Sequence, residues 1–171
     1  MVKIYLVGLS GVGKSTIGKE LSARLSLDYI DLDFEIEKQE GISISEIFQM
    51  KGEDAFRKTE MEQLLLQKSK SDIVISTGGG TSCFSNNMDW MLENGIVIYL
   101  QLPIVKIAAR LQNSYLRPLL PSENKSELKN QLKKQLKLRE VYYNKAHISF
   151  NVDAWNEVRV EELVDLINGF S

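Results

Sequence analysis

Three glycines, one lysine and three seryl or threonyl hydroxyls fall within nine residues, "GLSGVGKST" (8–16), directly after the apolar run "KIYLV". Glycine weakens a strand or helix interior, so three of them here must serve something that side chains would obstruct. The string matches the phosphate-loop pattern G-x-x-x-x-G-K-[ST], with a strand-like run before it and a helix-like run, "KSTIGKELSARL", after it. Backbone N–H groups of Gly11, Val12, Gly13 and Thr16 can point at one anion, and the positive end of the following helix adds to that field. Lys14 supplies a full charge between outer phosphates. The Ser15 hydroxyl is a hard oxygen suited to Mg²⁺. The chemistry expected is binding of a nucleoside triphosphate.

Acidic residues follow the second strand-like run, in "DLDFEIE". Asp31 and Asp33 are two apart and, in an extended segment, would point the same way. One can help to hold Mg²⁺ through its waters, and the other can orient a hydroxyl or take its proton. A pair of helix-capping aspartates in a solvated turn is the other reading. On the helical stretch "GEDAFRKTEMEQLLLQ" (52–67), Glu60 is i+4 from Phe56 and i+3 from Arg57, so all three are neighbours. They can seat a small ring bearing a carboxylate, or be a surface ion pair beside a core phenylalanine. "STGGGTS" (76–82) places Gly78, Gly79 and Gly80 after the third strand, where consecutive glycines allow close backbone approach. In "SELKNQLKKQLKLREVYY", Leu128, Leu132 and Leu136 mark one helical stripe, and Arg139 returns to it. "QNSYLRPLLPSENKS" (112–126) has no period and two prolines; it reads as a lid loop carrying Arg117.

These groups need a scaffold that gathers loop residues at one edge. Short apolar runs at 2–7, 29–32, 72–76, 96–101 and 147–152 alternate with helical stretches, which argues for an α/β fold with a parallel sheet covered on both faces. Such sheets bind ligands beyond the carboxyl ends of their strands, where nearly all the residues above fall. The chain has 171 residues, 43% of them apolar, and a formal net charge of −2. That is enough for one domain, and it argues against broad attraction to nucleic acid or an anionic membrane. The first apolar run is too short to span a bilayer, and Cys83 is the only cysteine, so the expected location is the cytoplasm. Cys83, His147, Trp90 and Trp155 read as structural or packing residues.

Motor ATPases and GTP switches fit poorly. "IVIST" ends in hydroxyls where a motor would place an acid, and "NKSE" (124–127) is a weak match to a guanine reader. In order and spacing, the phosphate loop, "DLD" with "IE" at 36–37, "GEDAFRKTE", "TGGG", "RPLL" and "LREVYY" resemble the shikimate kinases over nearly the whole chain.

That resemblance implies a single domain over 1–171. It would be a three-layer α/β/α phosphate-loop fold like that of nucleoside monophosphate kinases, with a five-stranded parallel sheet of order 2-3-1-4-5. An acceptor-binding segment would lie at about 33–62 and a mobile lid at about 112–126. It implies transfer of the ATP γ-phosphate to the 3-hydroxyl of shikimate, on the route to chorismate and the aromatic amino acids. Lys14, Ser15 and Asp31 would serve phosphates and Mg²⁺. Asp33 would bind the acceptor hydroxyls and act as base or orienter. Arg57 and Arg139 would hold the carboxylate, with backbone contacts from Gly78, Gly79 and Gly80. Phe48, Phe56 and Glu60 would shape that pocket, Arg110 would stack on adenine, and Arg117 would be the lid arginine. The partners expected are ATP and shikimate only, with the protein a monomer. A related kinase acting on gluconate or a nucleoside monophosphate, and a catalytically silent nucleotide-binding partner, are the competing readings.

Overall fold

The computed structural model describes residues 2–112 and 125–170. Five strands, β1 (Lys3–Val7), β2 (Asp28–Asp31), β3 (Ile73–Ser76), β4 (Ile96–Gln101) and β5 (Ile148–Asn151), form one sheet of order β2-β3-β1-β4-β5. Every neighbouring pair is parallel. This is the order that the family resemblance implied. The three inner strands are buried almost throughout, whereas edge strand β5 alternates buried and exposed. Continuous apolar runs are what a doubly covered parallel sheet requires, and alternation is what an edge tolerates.

Helices connect the strands: α1 (Lys14–Leu25), α2 (Leu32–Glu40), α3 (Ile44–Leu66), α4 (Asn87–Asn94), α5 (Ile104–Gln112), α6 (Lys125–Tyr143) and α7 (Glu157–Asn168). Among the described residues, no helix is long and apolar enough to cross a membrane. Most of the core is one cluster around the sheet. A small second cluster, centred on Ile36, Ile47 and Phe56, joins α2 to α3.

Helix α3 starts earlier than the stretch read from the sequence. Ser43 and Glu46 cap it reciprocally, and Gly52 breaks it at φ 81°, ψ 172°. That backbone conformation is open essentially to glycine alone. The kink lets the first half of α3 pack on α2 while the second half carries Phe56, Arg57 and Glu60 toward the sheet.

Register aligns the strand ends. Leu6 pairs with Ser76, Asp31 pairs with Ser76 on its other side, and Val7 pairs with Tyr99. The loops after β1, β2 and β3 therefore leave the sheet side by side.

Candidate active site

The phosphate loop turns through Gly8, Gly11 and Gly13, all at positive φ. A Cβ on Gly8 would lie 2.7 Å from the Leu100 carbonyl oxygen, so the loop also needs glycine for room. Helix α1 begins at Lys14, a residue only 8% exposed, whose ammonium donates to the carbonyls of Gly8 and Leu9 at 2.8 and 3.0 Å. Its charge is held at the mouth of a positive helix end, the arrangement an anion requires.

Asp31 ends β2 and caps α2, accepting from the backbone N–H groups of Asp33 (3.1 Å) and Phe34 (3.4 Å). Because the helix begins at Leu32, the expectation that Asp31 and Asp33 share a side through strand alternation does not hold: Asp33 lies in the first turn of α2. Capping and chemistry are not alternatives here. The cap fixes one carboxylate oxygen, and the other accepts from the Ser15 hydroxyl at 2.5 Å. Two hard oxygens are thus brought together beside Lys14, a donor set that fits Mg²⁺. Gly13, Lys14, Ser15, Asp31, Asp33 and Arg110 line one cavity of about 320 Å³, which Gly11 and Thr16 also border. Arg110 is held there by donating to the Val12 carbonyl at 2.7 Å.

The glycine run after β3 forms the opposite wall. None of its three residues has positive φ; what they provide is proximity. A Cβ on Gly78 would collide with Glu60 and lie 2.8 Å from Oδ1 of Asp33. One on Gly79 would lie 2.6 Å from the Ser10 hydroxyl and 3.3 Å from the Arg139 guanidinium. One on Gly80 would lie 2.6 Å from the Arg57 guanidinium. Each glycine makes room for a different sequence-identified polar side chain.

Glu60 is fully buried and accepts from Arg57 (2.8 Å) and from the Thr81 hydroxyl (2.5 Å). A buried carboxylate is tolerable only when paired in this way. Burial works against the charge on Arg57, but Glu60 and Glu53 outweigh it and raise its pKa above the ordinary guanidinium value. The Arg57–Glu60 pair is therefore buried, and the surface ion-pair reading is set aside. Phe48 and Phe56 pack at 4.6 Å between centroids, and the Arg57 guanidinium lies 6.0 and 5.3 Å from the two rings. From α6, Arg139 donates to the Gly79 carbonyl at 3.1 Å, and the buried Tyr143 hydroxyl donates to the same oxygen at 2.5 Å. Burial pushes the Cys83 thiol up, so it stands nearby as a neutral group.

The phosphate loop and the side that carries Arg57 and Arg139 thus meet at Gly79 and Asp33. Arg117 and most of the expected lid fall in 113–124, outside the described residues. His147 is structural, as expected: its Nδ1 accepts from the Val97 N–H at 3.1 Å. Trp90 packs edge-on to Tyr5, also as expected. Trp155 packs on Phe150, again as expected, and it also borders the cavity beside Arg110, its indole donating to Glu20 at 2.7 Å. The sequence reading does not single out Thr81 or Tyr143, and it does not place Trp155 at the cavity. A hydroxyl directly after the glycine run and a tyrosine one turn beyond Arg139 were the available signals.

A family model described as shikimate kinase matches residues 10–168. The chain is 38% identical to a shikimate kinase of Parabacteroides distasonis over 154 residues, covering 90% of this chain and 89% of that protein. It is 39% identical to one of Haemophilus influenzae, covering 98% and 93%. A crystal structure of shikimate kinase from Bacteroides thetaiotaomicron superposes with TM-score 0.93 at 34% identity, covering 98% of both chains. One from Acinetobacter baumannii in complex with shikimate gives 0.88 at 32%, covering all of this chain and 95% of that one. A gluconokinase from Sinorhizobium meliloti, at TM-score 0.60 and 17% identity, shares the fold alone. On the match over 10–168 and these identities across most of the chain, the protein belongs to the shikimate kinase family.

Proposed function

We propose that this chain transfers the γ-phosphoryl group of ATP to the 3-hydroxyl of shikimate, giving ADP and shikimate 3-phosphate. One observation carries this reading. The glycine run packs Asp33, Arg139 and Arg57 against three successive residues at the rim of a phosphate loop. Two cations, a hydroxyl-binding acid and an aromatic wall suit a small carboxylated ring with hydroxyls. Gluconate, an open chain, has less use for the Phe48–Phe56 wall.

Phosphoryl transfer depends on alignment and charge neutralisation more than on covalent help from the protein. Lys14 and the N–H groups of the loop hold the outer phosphates. Ser15 and Asp31 would hold Mg²⁺, which when bound neutralises charge on the phosphates. Arg57, kept in place by Glu60, and Arg139, anchored on Gly79, hold the acceptor carboxylate. Asp33 orients the acceptor hydroxyl and takes its proton as the new bond forms. Arg110 and Trp155 flank the base. Arg117, on the family resemblance, is the lid cation that steadies the transferring group. We further infer one domain, a monomer in the cytoplasm, with no nucleic-acid partner. The net charge of −2 and the chemistry of the site support that reading.

ADP release from ATP and Mg²⁺, followed with and without shikimate, tests the assignment. Release is expected only with shikimate. Equal release without it would mark an ATPase. Release with gluconate or AMP in preference to shikimate would move the acceptor assignment.

A further inference from the structure

Tyr29 lies on β2 two residues before Asp31, so strand alternation sets both on one side of the sheet. Its hydroxyl is 3.3 Å from Oδ2 of Asp31 and 3.1 Å from Oγ of Ser76. Ser76 is buried at the end of β3 and donates its own proton to the Lys14 carbonyl at 2.9 Å, in the first turn of α1. It can therefore only accept from Tyr29. The phenol has one proton to share between Ser76 and Asp31. The ring is held as closely as the hydroxyl. A Cβ on Gly18 of α1 would lie 2.6 Å from Cε2 of Tyr29 and 2.7 Å from the Ser76 hydroxyl.

Asp31 is thereby gripped from three sides. Its Oδ1 accepts from the backbone of α2, and its Oδ2 accepts from Ser15 and faces Tyr29. Without the phenol, the cap on Oδ1 and the Ser15 hydroxyl alone would hold the plane of the carboxylate. No step of phosphate or acceptor binding described above uses this tyrosine.

We propose that Tyr29 is a positioning residue for the cation site, its hydroxyl holding Oδ2 of Asp31 toward Ser15. The proposal rests on the reading that Ser15 and Asp31 serve Mg²⁺. Partners one shell beyond a metal's ligands typically change metal affinity by about 10- to 100-fold when removed.

The test is the affinity of the full-length chain for a non-hydrolysable ATP analogue, by calorimetry, with and without Mg²⁺, for wild type, Tyr29→Phe and Ser76→Ala. Tyr29→Phe keeps the ring and removes only the hydroxyl. It should bind the analogue within about twofold of wild type without Mg²⁺, and lose about tenfold of the tightening that Mg²⁺ produces. Ser76→Ala leaves the Tyr29 proton wholly to Asp31 and should keep that tightening within about threefold of wild type. Full tightening in Tyr29→Phe would overturn the proposal. So would equal weakening with and without Mg²⁺, or a loss in Ser76→Ala as large as in Tyr29→Phe, since the hydroxyl would then act on α1 and not on Asp31. Absence of tightening in wild type would overturn the cation-site reading, and this proposal with it.

Discussion

Gly80 and Asp33 separate two kinds of contribution at the scale of single residues. A methyl group added at Gly80 meets the far end of the Arg57 side chain, which can swing aside. The stability cost should be small, because a guanidinium moves more easily than backbone. The displaced guanidinium, however, leaves its place in the acceptor pocket. Gly80→Ala is expected to raise the KM for shikimate about tenfold or more, one lost charge-assisted contact, with the KM for ATP within about twofold. Steady-state kinetics with each substrate varied in turn checks this, and an equal rise for both substrates would place Gly80 outside the acceptor pocket. Asp33 lines the cavity beside the phosphate loop and lies against Gly78. Asp33→Asn should lower kcat by about 10²- to 10⁴-fold, the usual worth of a positioned base. Binding of an ATP analogue should survive, and near-normal turnover would remove the base assignment.

At the scale of elements, the proposed acceptor half-site stands on α2 and α3, which share a small core of their own and join the sheet core through Leu32 and Leu64. The bend at Gly52 decides how the second half of α3 presents Phe56, Arg57 and Glu60. A side chain there has open space, so only backbone strain resists it. Gly52→Ala is expected to cost about 1–3 kcal/mol, the penalty for that backbone region. The thermal midpoint should fall and the KM for shikimate rise severalfold, with ATP binding little changed. An unchanged midpoint would mean that the kink is not needed.

Local pattern made much of this scaffold legible. The phosphate loop, the limits of α1 and β4, and the stripe that brings Arg139 inward can all be read from spacing. Asp31 was harder, because a strand residue and a helix cap look alike when the turn between them has no length. Tyr29, Thr81 and Tyr143 were not legible. Their partners Ser76, Glu60 and Gly79 are 47, 21 and 64 residues away, and only the folded register brings them together.

For the whole molecule, strand order matters most. Placing β3 between β2 and β1 puts the acidic turn, the glycine run and the phosphate loop on three adjacent strand ends. Spacing alone predicts a parallel sheet; the order itself came through resemblance, since periodicity carries no information about which strands are neighbours. The same packing has a consequence at alkaline pH. Burial, with Asp31 adding to it, pushes the Tyr29 phenol from 10 up to about 12, and burial also raises Tyr5 and Tyr143. The folded chain then holds protons that the unfolded chain releases, so stability should fall as pH rises above 10. Thermal melts between pH 9 and roughly 12 should show this fall, and it should be shallower in Tyr29→Phe, which removes one of the groups responsible. A midpoint that stays level across that range would contradict the burial of these phenols. The most direct test of the whole reading is the product itself. Phosphorus NMR of a completed reaction with ATP, Mg²⁺ and shikimate should show one phosphate monoester on the 3-hydroxyl for each ADP formed. Inorganic phosphate in place of the ester, or an ester at another hydroxyl, would contradict the arrangement of Asp33, Arg57 and Arg139 described here.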